Sequence, residues 1–268
     1  MIDITKIDYS ELDRPEILMF LFHPRREWGE RPPDGPLEDV LIPVDEGVAV
    51  GMRIHMTGKM GPNILFFHGN GEIVADYDDL GQLYNRQGIN FLPVDYRGYG
   101  RSTGEPTITA MMRDSHVILD YVRGWLAEND HEGPLIVMGR SLGSASALEL
   151  ASHYADQIDG LIIESGFAYI GPLLELLGSI GLKVSGDVEG RDFRNLDKIG
   201  SFNKPTLIIH AERDHIIPFS EGQALFDASN AEDKNFLMIP GANHNDIFFL
   251  GIKEYMEAIT ALAARLKH

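Results

Sequence analysis

Apolar positions along the chain follow two periods. "EDVLIPV" and "GVAVGMRIHM" alternate in steps of two and turn at Asp45-Glu46-Gly47, which predicts an antiparallel hairpin. "PNILFFH" (Pro62–His68) is a continuous apolar run, as expected of a strand covered on both faces. From there strand and helix patterns alternate. Helices are predicted over Val74–Gln87, Thr107–Glu128, Leu142–Tyr154, Ser220–Ser229 and Asp246–Lys267. Between them lie the strands Ile89–Asp95, "PLIVMGR", "GLIIES", "PTLIIH" (Pro205–His210) and "NFLMIP" (Asn235–Pro240). This alternation predicts an α/β fold: a mostly parallel sheet, entered by an antiparallel hairpin, with helices on both faces.

Three stretches depart from the rhythm. His23–Pro36, "HPRREWGERPPDGP", reads as an extended, turn-rich connection. The run Ile17–Phe22 reads as a helix end packed on the domain, with a peripheral membrane contact as the sharper alternative. It is far short of the roughly 20 residues that span a bilayer. Finally, residues 166–200 form more chain than a simple crossover needs, and Tyr169–Leu182 is apolar nearly all round. Such a helix must be covered. Either it packs at the sheet's end, or it is a small lid whose Leu173, Leu174, Leu176 and Leu177 line an apolar substrate pocket. Both readings stay open.

Composition narrows the classes. The 268 residues fit a single domain over 1–268 and need no disulfide to bury a core. There is no cysteine, so thiolate metal sites and a cysteine nucleophile are excluded. A formal charge of −18 repels phosphate backbones and argues against a nucleic-acid partner. The acidic start "MIDITKIDYSELDRPE" lacks a basic region followed by an apolar run, so the expected location is cytoplasmic, without stable membrane insertion.

Candidate chemistry sits at strand ends. Gly139-Arg140-Ser141-Leu142-Gly143 joins an apolar strand to a helical run. Glycines on either side of the serine let strand and helix approach closely around a strained turn. Alone the pattern is weak, but its strand-to-helix setting singles out Ser141 as nucleophile over Ser144 and Ser146, which fall inside the helix. A serine hydroxyl needs a base. His244, in "PGANHNDIF", lies between the last strand and the last helix. An acid must orient that imidazole, and Asp214, in "HAERDHIIP", follows the preceding strand. Glu212 and Asp246 are alternative acids, with Asp246 better read as a helix-start residue. The cluster His210, Glu212, Asp214, His215 does not have metal-ligand spacing, so no metal is expected. An oxyanion hole would use the backbone N–H of Leu142 and that of Asn70 in "FFHGNG", with Gly71 as alternative. His68 is assigned to shaping that loop. Whether Arg140 turns into the sheet or charges a pocket mouth is left open.

Together, "FFHGNG", "DYRGYGRSTGEP", "GRSLGS", "HAERDHIIP" and "GANHND" resemble the α/β-hydrolase superfamily, and more narrowly its Bem46-like branch. The resemblance covers nearly the whole chain. It implies an eight-stranded hydrolase sheet, Ser141, Asp214 and His244 as a triad, and cofactor-free hydrolysis of an ester, thioester or amide of a small molecule. The depalmitoylating relatives carry an N-terminal cysteine cluster that is missing here, so membrane depalmitoylation is not carried over. A peptidase acting on short peptides, or a non-catalytic ligand-binding homologue, are the rival readings.

Overall fold

The computed structural model describes residues 2–28, 38–171 and 193–266. Eight strands form one sheet: β1 (Glu38–Asp45), β2 (Val48–Ile54), β3 (Asn63–Phe67), β4 (Asn90–Val94), β5 (Leu135–Arg140), β6 (Gly160–Glu164), β7 (Thr206–Ala211) and β8 (Lys234–Ile239). Their order is β1-β2-β4-β3-β5-β6-β7-β8. The β1–β2 hairpin and the β2–β4 pair are antiparallel, and the pairs from β4 through β3 to β8 are parallel. This is the mostly parallel sheet with an antiparallel entry that the apolar pattern predicts.

The continuous apolar runs of β3, β5, β6 and β7 are explained by two cores, one on each face. Successive strand side chains point to opposite faces. Leu65, Phe67, Val137, Leu161, Ile163 and Ile208 pack one way, and Ile64, Phe66, Ile136, Met138, Ile162 and Ile209 the other. The first face is covered by α1 (Pro15–Leu21), α3 (Ile108–Glu128), α4 (Gly143–His153), α5 (Asn195–Ser201) and α6 (Phe219–Ala228). The second is covered by α2 (Asp78–Arg86) and α7 (Ile247–Arg265).

Two helices differ from the sequence pattern. The stretch expected as one helix from Val74 begins as a 3₁₀ turn, Val74–Tyr77, before α2. Asp95 Oδ1 accepts from Val74 N at 3.0 Å and Asp76 Oδ2 from Ile73 N at 3.0 Å, which tightens the first turn. Helix α7 is kinked at Gly251, where a Cβ would run into the Ile239 side chain. Among the described residues, no helix is long and apolar enough to cross a membrane.

All the parallel strands run the same way, so the residues that follow β3, β5, β7 and β8 gather along one edge of the sheet. Ligands of open α/β sheets bind at that carboxyl edge.

Candidate active site

Ser141 follows β5 directly and takes φ +52°, the left-handed region that a serine adopts only at a cost. The flanking glycines make that turn fit. A Cβ on Gly139 would run into the Gly143 carbonyl, and one on Gly143 into the Phe67 carbonyl of β3. Ser141 N donates to Glu164 O at 2.9 Å, which fixes the turn against β6. Ser144, inside α4, bonds back to Ser141 O at 2.6 Å, and Ser146 is fully buried in the same helix.

The structure brings Ser141, His244 and Asp214 together. His244 Nε2 lies 3.0 Å from Ser141 Oγ, and its Nδ1 lies 2.7 Å from Asp214 Oδ2. Asp214 is itself held. Its Oδ1 accepts from the Ile216 and Ile217 N–H groups at 3.0 and 2.8 Å. Burial pushes the Asp214 carboxyl up, but His244 and these two N–H groups outweigh it and hold its pKa below the usual value. A carboxylate that stays charged can fix one imidazole tautomer and stabilise an imidazolium. The other acids named from the sequence lie elsewhere. Glu212 accepts from Gly241 N at 2.6 Å. Asp246 is the residue before α7, and its carboxylate holds the turn by accepting from Asn243 N and Nδ2, both at 2.6 Å, rather than capping the helix. His210 is buried behind Asp214 and donates to Ile217 O at 2.9 Å, and burial holds its pKa below the usual histidine value.

The loop after β3 faces Ser141. Among the described residues, the backbone N–H groups of Asn70 and Leu142 have no hydrogen-bond acceptor, whereas Gly69 N donates to Glu72 Oε2 at 2.6 Å. Gly71 sits at φ +75°, which turns the loop. The His68 ring spans Gly69 O (2.8 Å) and Asp95 Oδ1 (3.2 Å) beneath it. The Asn70 side chain reaches outward: its Oδ1 accepts from His23 N at 2.8 Å and from Tyr99 Oη at 2.9 Å.

Arg140 turns inward and is buried. Its Nη1 pairs with Glu72 Oε1 at 2.6 Å, its Nε with Glu164 Oε1 at 3.0 Å, and its Nη2 donates to His244 O at 2.8 Å. Burial works against its charge, yet Glu72 and Glu164 more than offset this and push its pKa above the usual value. No spacing in the sequence signals this role, because its partners come from three distant segments.

Beside Ser141 opens a cavity of about 230 Å³ whose walls include Phe20, Leu21, Leu142, Phe167, Ile216 and Ile217, with the polar His23 and Asn70. The N-terminal run therefore contributes pocket wall: Ile17 and Leu21 are buried in α1, and Phe20 and Leu21 face the cavity. The sequence pattern marked this run as packing and missed that use. The expected pocket residues Leu173, Leu174, Leu176 and Leu177, and most of the 166–200 insertion, lie outside the described residues. On their near side, Glu221 of α6 accepts from Ala168 N and Tyr169 N at 2.8 and 2.9 Å and so pins the chain that leaves β6.

The family model described as serine aminopeptidase, S33 matches residues 59–188. Human alpha/beta hydrolase domain-containing protein 17B is 31% identical over 209 residues, which are 73% of this chain and 64% of that protein. Protein bem46 of Schizosaccharomyces pombe is 29% identical over 189 residues, 69% of this chain and 62% of the relative. The chain thus matches somewhat under two thirds of the length of these curated relatives. Among solved structures, an esterase of Pyrococcus furiosus superposes with a TM-score of 0.70 at 20% identity, covering 91% of this chain and 99% of that one. Sheet order and the structural likeness show the α/β-hydrolase fold. Within that superfamily the chain belongs with the Bem46-like proteins.

Proposed function

We propose that the protein is a serine hydrolase that cleaves a carboxylic ester or thioester of a small molecule through an acyl-enzyme on Ser141. The observation that carries the reading is the Ser141–His244–Asp214 chain of contacts, at 3.0 and 2.7 Å, at the mouth of an apolar cavity. Ser141 Oγ attacks the carbonyl carbon while His244 Nε2 takes its proton, and Asp214 stabilises the imidazolium. The Leu142 and Asn70 N–H groups receive the oxyanion. His244 returns the proton to the leaving alcohol or thiol. Water, activated by the same imidazole, then releases the acid.

The family-model description names a peptidase, and the same three residues would serve an amide. The apolar lining of the described cavity suits the acyl group of an ester. A binding protein without catalysis would have no need for the strain at Ser141. The esterase named among the structural neighbours supports the same choice.

Labelling with a fluorophosphonate tests the reading. The native protein should be labelled once, on Ser141, and Ser141→Ala should lose both label and ester turnover while keeping its fold. Turnover that survives in Ser141→Ala would place the chemistry elsewhere.

A further inference from the structure

On the first face of the sheet, away from Ser141, His116 of α3 meets Glu149 and His153 of α4. Among the described residues this is the one group of three potential ligands, with their atoms all within 4.8 Å of one another. We propose that it is a site for a borderline divalent metal ion, Zn²⁺ or a close analogue such as Co²⁺, that staples α3 to α4.

The spacing carries the argument. His116 Nε2 lies 3.4 Å and His153 Nδ1 3.6 Å from the same oxygen, Glu149 Oε1. Both exceed the usual 2.7–3.2 Å of an N–H···O hydrogen bond. Tetrahedral ligands with bonds of about 2.0–2.1 Å stand roughly 3.3–3.4 Å apart, so the His116–Glu149 edge is already at ligand spacing and the His153–Glu149 edge is slightly long. Glu149 and His153 are four apart on one helix, which sets them on one face. A turn of the His153 ring closes the two edges that it shares with Glu149 and His116. That side chain is 37% exposed, and the turn gives up its contacts with Glu149 O at 2.9 Å and Ser152 Oγ at 3.1 Å.

The surroundings are those of a ligand set. His116 Nδ1 lies 3.0 Å from Tyr154 Oη, which fixes the ring and directs Nε2 inward. Lys198 Nζ, at 2.6 Å, and Tyr9 Oη, at 3.1 Å, occupy Glu149 Oε2 and leave Oε1 for the ion. Two imidazoles and one carboxylate suit zinc and cobalt rather than calcium or magnesium, which prefer all-oxygen sets. The positive charge of Lys198 keeps the affinity below that of an all-thiolate site. At about 1.5 Å per residue, Glu149 and His153 lie well along α4 from its start at Gly143. The ion therefore acts on the fold, under the cleft of about 830 Å³ between the N-terminal segment and α5, and not on the ester.

The test uses the full chain stripped with chelator and titrated with Zn²⁺ or Co²⁺. Zn²⁺ should raise Tm by about 5 °C at saturating concentration, Mg²⁺ should not, and one equivalent of Co²⁺ should give a visible absorption band. His153→Ala, a half-exposed change, should lose both responses while matching the native Tm without metal and the native ester turnover. His116→Gln should lose both responses too, but from a lower metal-free Tm, because His116 is buried against Glu149 and Tyr154. A native protein without the Co²⁺ band, a Tm shift that persists in His153→Ala, or an equal shift with Mg²⁺ overturns the site. None of these results bears on Ser141, so this inference fails or stands apart from the proposed reaction.

Discussion

Arg140 Nη2 donates to the backbone carbonyl of His244 at 2.8 Å, so the residue before Ser141 in the chain holds the loop that carries the imidazole facing it. The same guanidinium pairs with Glu72, whose other oxygen accepts from Gly69 N at 2.6 Å in the loop that faces Ser141. Its third partner, Glu164, accepts from Tyr255 Oη of α7 at 2.8 Å. One buried cation thus joins the serine turn, the histidine loop and the β3 loop. That adds one shared tie to the local bonds that hold each turn.

Arg140→Lys tests that role. A lysine keeps the charge but cannot reach three partners in a plane. We expect kcat for a p-nitrophenyl ester to fall at least tenfold, with KM changed about threefold or less, and the protein to stay folded by circular dichroism. Arg140→Ala leaves Glu72 and Glu164 buried without a counter-ion, a loss of about 3–5 kcal/mol, and should unfold at markedly lower urea. A lysine variant with native kcat would show that the network is not needed to place His244.

The left-handed φ of Ser141 predicts a stability order among inactive variants. Ser141→Ala keeps the strain and Ser141→Gly removes it, because glycine adopts φ +52° freely. The gain is offset in part by the greater freedom of glycine in the unfolded chain. The glycine variant should therefore unfold about 0.5–1 kcal/mol later than the alanine variant in urea. The reverse order would mean that the turn is not strained.

The parts of this picture legible in the sequence are those written locally. The switch between two-residue and helical periods marks the strands and helices, and strand ends mark Ser141, Asp214 and His244, the three residues the structure brings into hydrogen-bond distance. Arg140 was conspicuous in "GRSLG", but its purpose depends on Glu72, Glu164 and His244, which approach it only in the folded sheet. Phe20 and Leu21 are similar: their apolar character predicts burial, and nothing local says that the space beside them is a cavity. His116 belongs with them: Glu149 and His153 share one helix face, but only the packing of α3 on α4 brings His116 beside them.

The cavity beside Ser141 predicts a chain-length preference. Burying a methylene contributes about 0.8 kcal/mol, about fourfold in kcat/KM. Across p-nitrophenyl esters of increasing acyl length, kcat/KM should climb at close to that rate from acetate until the cavity is full, then level off. Phe20→Ala enlarges the cavity from a partly exposed wall and should move the plateau to longer chains. An unchanged profile in that variant would show that the chain binds elsewhere.

The Glu149–Lys198 pair makes a prediction about acid. Burial alone would raise the Glu149 carboxyl, but His116 and Lys198 overcome it and bring its pKa from 4.5 down to about 2. In the unfolded chain those partners are absent, so unfolded protein takes up the proton first as pH falls. The stabilisation is fully present above the unfolded value of 4.5 and is lost between 4.5 and about 2. A depression of that size corresponds to on the order of 3 kcal/mol at neutral pH. Glu149→Gln lacks the charge at every pH. Measured in chelator to keep metal out, its urea midpoint should lie well below the native one at pH 7, and the two should converge as pH approaches 2. A constant difference across that window would mean that Glu149 contributes packing alone.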